Sequence, residues 1–188
     1  LMVFSLLGPL LYSFKKPLYY FSKWKSAGLA SLLMMLVFIP WDIGFTKIGV
    51  WWFNHTYTLG IDVAGLPLEE WLFFIVIPFA CVFVYEVLNH FFPKNASLQF
   101  VSWFYGLYGA VLIVAAFIYV EQYYTWVAFG LAGILSLITA ILQLEWSARF
   151  LRMYIVIWIP FLLVNGALTG VMTESPVVNY NPEEIIGI

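Results

Sequence analysis

The length of its apolar runs is the feature that most constrains this chain. Six such runs are separated by short polar or turn-rich segments: residues 1–14, 27–46, 68–91, 99–119, 123–144 and 151–172. About 20 helical residues cross the hydrocarbon layer of a bilayer, so runs of this length are typical of membrane-spanning helices. The pattern predicts an all-α fold, a polytopic membrane helix bundle with six visible spans, of which the first is short and incomplete at its start.

The composition agrees with a membrane environment. Hydrophobic residues make up 64% of the chain and charged residues 10%, whereas about 25% of the residues in soluble domains are charged. The net charge of −2 offers no basic surface, so we expect no nucleic-acid partner. The single cysteine, Cys81, excludes a disulfide within the chain. The lipid bilayer is therefore the expected surrounding.

Basic residues in the loops indicate which side of the membrane is cytoplasmic. If the six predicted spans alternate in direction, seven of the eight Lys and Arg residues fall on one side, and Lys47 alone falls on the other. The seven are Lys15, Lys16, Lys23, Lys25, Lys94, Arg149 and Arg152. Cytoplasmic loops are enriched in Lys and Arg, so this side is predicted to be cytoplasmic. The N-terminus is then predicted to lie outside the cell membrane (plasma or inner).

One segment of the chain recurs. Residues 53–61 align without gaps to residues 180–188, and the copies share Asn at the second position and Gly-Ile at the end. Each copy follows a span with an Ile-Pro pair, Ile39-Pro40 in the first case and Ile159-Pro160 in the second. The two preceding spans have the same predicted orientation. This similarity therefore indicates a parallel internal repeat.

The repeat predicts two related halves, residues 1–98 and 99–188. In the first half, the repeated segment is followed by Pro67-Leu68-Glu69-Glu70 and a helix, whereas the sequence ends directly after the second copy. We therefore expect the natural protein to continue into a seventh helix with its own acidic start, missing at the C-terminus here.

Three acidic residues lie where a membrane protein rarely places them. Asp42 lies near the outer end of the second span, and Glu69 and Glu70 lie in the first turn of the third span, at the same predicted depth. Ionisable groups at membrane depth are costly and are functional candidates by default. Structural explanations also stay open: acids in a first turn stabilise the helix dipole, and Asp42 would serve as a buried partner of Lys47 or of a backbone group.

Aromatic residues are crowded around these acids. Phe, Trp and Tyr make up 21% of the chain, and those beside the acids in sequence include Trp41, Trp51, Phe53, Trp71, Phe73 and Phe74. An aromatic belt at the membrane interface would explain them. Alternatively, the ring faces would stabilise a cation in a dry pocket.

Buried carboxylic acids beside aromatic faces are suited to acid-initiated chemistry on a lipid-soluble molecule. The acid adds a proton to an alkene, the ring faces share the charge of the carbocation, and a second carboxylate removes a different proton. The net reaction is an isomerisation, for which we expect no metal and no cofactor. Two histidines are too few for a histidine-rich di-iron site, and no glycine-rich strand-to-helix turn indicates a flavin or nicotinamide fold.

These motifs resemble those of the lycopene cyclase domain family, the integral-membrane lycopene β-cyclases of bacteria, archaea and fungi. The resemblance rests on Ile39-Pro40-Trp41-Asp42, Gly49-Val50-Trp51-Trp52-Phe53-Asn54, Gly60-Ile61 and Pro67-Leu68-Glu69-Glu70-Trp71-Leu72-Phe73-Phe74. Members of the family carry two related halves, as the repeat does here. They cyclise the ψ-ends of lycopene to β-ionone rings. The second half departs from the first, because Phe161-Leu162 stands where Trp41-Asp42 stands in the first.

The resemblance implies an isomerase of carotenoid biosynthesis that acts on lycopene or a related linear carotenoid. It implies that Glu69 and Glu70 are the catalytic acidic pair and that Asp42 is a third catalytic residue. The substrate would contact the neighbouring side chains Trp41, Trp51, Phe53, Asn54, Trp71, Phe73 and Phe74. A homo-oligomer or a contact with other carotenoid enzymes is left open.

Two other functions remain open on the sequence. A carotenoid hydratase would quench the same carbocation with water, which adds the mass of one water to the substrate. A non-enzymatic transporter or pigment-binding protein would place its acids along a continuous polar pathway, for which the spans offer few polar residues. Analysis of the products separates these functions from cyclisation.

Overall fold

A computed structural model describes residues 2–94, 96–170 and 175–185, and α-helices dominate these residues. The helices are α1 (Met2–Tyr12), α2 (Trp24–Lys47), α3 (Leu68–Phe91), α4 (Leu98–Ile118), α5 (Tyr123–Leu142) and α6 (Ser147–Leu168). Short strands lie between or after them: β1 (Trp51–Phe53), β2 (Asp62–Val63), β3 (Leu66–Pro67) and β4 (Val178–Tyr180). Single turns of 3-10 helix occur at Tyr20–Lys23 and His55–Tyr57.

Among the described residues, five helices, α2 to α6, are long and apolar enough to cross a bilayer, with a mean hydropathy between 1.7 and 2.3. Helix α1 has 11 residues, which span about 16 Å, roughly half of the hydrocarbon thickness. The predicted helical membrane bundle is thereby confirmed, and the chain is a multi-pass membrane protein. The count of six spans stays a prediction.

The helix boundaries follow the apolar runs closely. Helix α3 coincides with the predicted run 68–91, because Pro67 precedes its first turn and Pro93 follows its end. Helix α6 begins at Ser147 rather than at residue 151, since its first turn is polar and adds no hydrophobic signal. The predicted end of this span, at residue 172, lies outside the described residues.

The segment between α2 and α3 contains strands that the all-α prediction missed. Strands β2 and β3 pair antiparallel, with Asp62 opposite Pro67 and Val63 opposite Leu66. The two turn residues, Ala64 and Gly65, both have positive φ (55° and 84°), as a tight hairpin turn of this kind requires. The hairpin delivers the buried Pro67 directly into the first turn of α3. This turn carries the two predicted catalytic glutamates.

The helices fall into two compact units. The first unit comprises Leu1–Pro93 and Met153–Asn179, in which α1 and α2 both pack against α3. The buried Tyr20 links the segment before α2 to α3, since its hydroxyl donates a 2.9 Å hydrogen bond to the carbonyl of Phe79. All three predicted catalytic acids belong to the first unit.

The second unit comprises Lys94–Arg152 and Tyr180–Ile188, and its core is the packing of α4 against α5. The two helices approach closely at Gly109 and Gly133: a Cβ atom on Gly109 would lie 2.9 Å from the Gly133 carbonyl oxygen. Small residues at such crossings are typical of packed membrane helices. The predicted sequence halves, 1–98 and 99–188, are a different division of the chain and stay a prediction.

The described parts of the two repeated segments have the same local hydrogen bonds. Asn54 Oδ1 accepts from the backbone N–H of Thr56 at 3.1 Å, and Asn181 Oδ1 accepts from that of Glu183 at 3.0 Å. Each Asn follows a short strand, β1 or β4, and these strands pair with each other. Residues 186–188 of the second copy lie outside the described residues. The shared Asn-capped turn agrees with the alignment, while the internal repeat as a whole stays a prediction.

Candidate active site

The turn after α2 brings the chain back against the helix it has just left. Gly49 has a φ of 78°, a conformation that glycine adopts without a Cβ clash. The next residue, Val50, donates its backbone N–H to the carbonyl of Phe45 at 3.0 Å. Strand β1 therefore begins beside the last turns of α2, and the ring of Trp51 stacks on Phe45 with 5.3 Å between centroids.

Asp42 is buried in α2 and has one specific partner. Its side chain is 7% exposed, and its Oδ1 accepts a 2.9 Å hydrogen bond from the indole Nε1 of Trp51. A buried polar group is costly unless it is hydrogen-bonded, and the indole meets this need. The suggested alternative partner, Lys47, does not contact this carboxyl group; the exposed side chain of Lys47 lies at the end of the helix.

Glu69 connects the start of α3 to the loop that precedes the β2–β3 hairpin. Its Oε1 accepts a 2.6 Å hydrogen bond from the backbone N–H of Leu59. The backbone N–H of Leu68 donates to the carbonyl of Ile61 at 2.8 Å, which fixes the same loop. The second carboxyl oxygen of Glu69, Oε2, is buried and has no hydrogen-bond partner among the described residues. That oxygen is free to face a ligand.

Glu70 brings the three predicted acids into one group. Its carboxyl is half-buried and interacts electrostatically with those of Asp42 and Glu69. Strand β3 packs against both α2 and α3, which explains why the end of one helix meets the start of the other. Ionised carboxylates repel one another strongly in a poorly hydrated site, so sharing protons among them lowers the energy of the group. Such a group is able both to donate and to accept a proton.

Aromatic rings form a continuous series beside Asp42. Trp41 lies 5.2 Å from Phe45 between centroids, and Phe45 in turn stacks on Trp51. Phe38 extends the series at 6.0 Å from Trp41. We call Phe38, Trp41, Phe45 and Trp51 the aromatic stack. Phe45 was missed by the sequence reasoning, although its spacing of four residues from Trp41 places both on one helix face.

The other predicted substrate-binding residues lie nearby in the first unit with partners of their own. The indole of Trp71 donates to the carbonyl of Val63 at 3.1 Å and so holds the hairpin against α3. Phe73 and Phe74 follow on α3 and meet edge to face, with centroids 5.7 Å apart. Phe53 is half-buried in β1. For these residues, contact with a substrate stays a prediction.

Asn54 is occupied by contacts within the protein. Its amide nitrogen donates to Ser175 Oγ at 3.2 Å, and its backbone N–H donates to the carbonyl of Val177 at 2.8 Å. Because its side-chain oxygen caps the turn at Thr56, both ends of the amide are bound. Asn54 thus positions β1, and with it Trp51. Its predicted contact with substrate stays a prediction.

Thr46 is a second residue that sequence reasoning missed. Its hydroxyl is buried and has no hydrogen-bond partner among the described residues. It lies four residues after Asp42, hence on the same face of α2. No group of three or more His, Cys, Asp or Glu side chains in ranges 2–94, 96–170 and 175–185 has an arrangement that could hold a metal ion.

Comparison with known protein families gives a match over most of the chain. The sequence profile of the family described as lycopene cyclase matches residues 1–88 and 121–188, which together make up most of the chain. The chain belongs to the lycopene cyclase family. The first matched piece contains the three acids and the aromatic stack. Neither a curated protein nor a solved structure matches the chain significantly.

Membership of the lycopene cyclase family confirms the resemblance inferred from the sequence. It supports an enzyme of carotenoid cyclisation, with a carotenoid as substrate and the membrane as its environment. The apolar helices agree, because a carotenoid dissolves in lipid and these helices are long and apolar enough to cross a bilayer.

Proposed function

We propose that the protein is a lycopene β-cyclase, an isomerase that closes the linear ψ-ends of lycopene into β-ionone rings. The observation that carries this proposal is the grouping of Asp42, Glu69 and Glu70 beside the aromatic stack. Carboxyl groups supply and remove protons, and ring faces stabilise a carbocation between the two steps. Each component of an acid-initiated cyclisation is thus present in the first unit.

The reaction balances without any added reactant. A carboxylic acid of the group donates a proton to the terminal double bond of lycopene, which leaves a tertiary carbocation. The electrons of a second double bond attack that carbon, a ring bond forms, and the charge moves into the new ring. A carboxylate then removes a proton from the ring, and the double bond re-forms in the β position. The substrate and the product have the same formula.

The proposal assigns the acid groups to this chemistry by their contacts. Oε2 of Glu69 is buried without a described partner, and Glu70 interacts electrostatically with both other acids. These two groups are suited to hold the proton that starts the reaction. Asp42, which the indole of Trp51 holds in place, is the third member of the site. Proton exchange within the group restores the starting state after each ring is formed.

The proposed function includes a location and an orientation of the protein in the membrane. We place it in the cell membrane (plasma or inner), where the distribution of basic residues favours an N-terminus outside and an acid site near the outer surface. The two Asn-capped turns support the division into related halves, 1–98 and 99–188.

Expression of the full-length protein in cells that accumulate lycopene tests the proposed function. We expect the cells to turn from red to orange as cyclic carotenoids form. Mass spectrometry then distinguishes the alternatives: cyclisation leaves the mass of the carotenoid unchanged, whereas hydration adds the mass of one water. Bound lycopene without conversion would instead support a pigment-binding protein and refute the enzyme.

A further inference from the structure

The last step of the proposed cyclisation has more than one chemical outcome. The ring cation has three kinds of removable proton on neighbouring carbons: one on the carbon that closed the ring, those on the adjacent ring methylene, and those on the ring methyl. Loss of the first gives a β-ring, loss of the second an ε-ring, and loss of the third a γ-ring. The position of the base therefore decides which isomer is formed.

Asp42 is joined to the aromatic stack by its hydrogen bond from Trp51. Trp51 in turn stacks on Phe45, and the two residues are 8% and 7% exposed. A carbocation is stabilised at ring faces, so the ring cation has its most favourable position beside this stack. Asp42 is the acid of the group whose carboxylate is hydrogen-bonded to a ring of this stack. Glu69, whose Oε1 is bound to the backbone N–H of Leu59, is assigned with Glu70 to the donation of the first proton.

The contact with Trp51 limits how Asp42 can exchange a proton. An indole N–H only donates, so Oδ1, which accepts it at 2.9 Å, must present a lone pair to the indole. The other oxygen, Oδ2, is left to take up a proton. Since Trp51 is itself stacked on Phe45, the plane of the carboxylate is fixed relative to the aromatic stack.

We propose that Trp51 is a specificity-determining positioning residue, which holds Asp42 as the base that removes the proton from the ring-closing carbon and so directs the reaction to β-rings. This inference rests on the proposed function. In this role the indole N–H of Trp51 acts through the carboxylate, separately from the stabilisation of the cation by ring faces of the stack. Its predicted role as a substrate-binding aromatic would leave the ring isomer unaffected by loss of the N–H.

The test compares two neighbouring tryptophans of β1 in the full-length protein. Trp51→Phe keeps an aromatic ring but removes the donor to Asp42. Trp52→Phe is the matched control, since Trp52 is 49% exposed and alternates to the other face of the strand. The carotenoids formed from lycopene are separated by chromatography, and the three ring types are quantified. The ratio of β-rings to the other rings should fall by roughly tenfold or more in Trp51→Phe, as expected for loss of a hydrogen bond to a charged group, and stay unchanged in Trp52→Phe.

The ring isomer is a readout that a purely structural defect does not change, because poor folding lowers the yield of all rings together. If Trp51→Phe forms β-rings only, at any yield, the inference is wrong. If this variant does not accumulate in membranes, Asp42→Glu is measured in its place. This substitution keeps the acceptor but moves the carboxylate by one methylene. Mixed rings would then support the inference, and β-rings alone would refute it. A wild-type protein that forms no rings refutes the proposed function itself, which distinguishes the two failures.

Discussion

The Oε1 atom of Glu69 accepts a 2.6 Å hydrogen bond from the backbone N–H of Leu59, while its Oε2 is buried without a partner among the described residues. The two oxygens of this carboxyl group therefore have different roles. Oε1 holds the loop onto the start of α3, and Oε2 is available to a proton or a substrate. A substitution at Glu69 can therefore remove the proton transfer and leave the hydrogen bond to Leu59 in place.

Glu69→Gln is expected to abolish cyclisation without unfolding the protein. The glutamine carbonyl keeps the bond from Leu59, but the amide group cannot deliver a proton. Ring formation should fall by roughly 100-fold or more, the usual contribution of a general acid or base. The measurement is the rate of ring formation in membranes that contain equal amounts of each protein. Glu121→Gln, at an exposed loop acid, is the control. A Glu69→Gln rate within a few-fold of the control rate would exclude Glu69 from proton transfer.

Glu70→Gln should cause a loss of similar size, because Glu70 interacts electrostatically with both other acids. Residues that act as one unit have non-additive effects. The double variant Glu69→Gln/Glu70→Gln should therefore be little slower than either single variant. Multiplication of the two losses in the double variant would show that the glutamates act independently, contrary to a shared proton.

The contact of Asn54 with Ser175 is expected to stabilise the first unit. Asn54→Ala removes that bond and the cap on Thr56, and should lower the free energy of unfolding by about 1–3 kcal/mol, since each bond contributes about 0.5–1.5 kcal/mol. Asn54→Asp keeps the cap and should lose less. Thermal unfolding in detergent, monitored by size-exclusion chromatography, gives the melting temperature of each variant. Equal melting temperatures for wild type and Asn54→Ala would contradict this role.

Much of the fold was predictable because lipid leaves few alternatives to the helix. Backbone groups in the hydrocarbon layer must be satisfied within the chain, so the apolar run 68–91 became the helix α3 with the same limits. The strands between α2 and α3 were not predictable, since two or three residues carry no usable periodicity. Residues flanked by Gly49 and the hairpin take their conformation from packing onto the helices.

The candidate site was predictable in its components but not in its contacts. Asp42, Glu69 and Glu70 stood out because acids at membrane depth are costly. The partner of Asp42 is Trp51, which reaches it only because the chain reverses at Gly49. The sequence analysis gave Lys47 as one alternative partner of Asp42. A charge can be read from a sequence, whereas the direction of an indole N–H cannot.

The crossing of α4 and α5 is expected to tolerate no side chain at Gly109. A Cβ atom there would lie 2.9 Å from both the Gly133 carbonyl oxygen and Leu137 Cγ. Gly109→Ala should therefore destabilise the protein by about 1–3 kcal/mol, the usual range for overpacking. Gly130→Ala is the matched control on α5, because nothing lies within 4 Å of its added Cβ. Chemical or thermal unfolding in detergent should rank the variants. A Gly109→Ala protein as stable as Gly130→Ala would show that the helices are not in close contact at this crossing.

In the proposed reaction an acid of the protein starts the cyclisation, and a different proton leaves. A single turnover in heavy water follows both protons. The full-length protein is equilibrated in D₂O and mixed with less than one equivalent of lycopene, so that each site reacts once. The mass of the product is then measured by mass spectrometry. The first ring formed should carry one deuterium, because the exchanged acid adds a deuteron to the terminal double bond and the proton lost comes from the substrate. A first ring without deuterium would refute the proposed reaction, since ring closure would then not have begun with proton donation by an exchangeable acid.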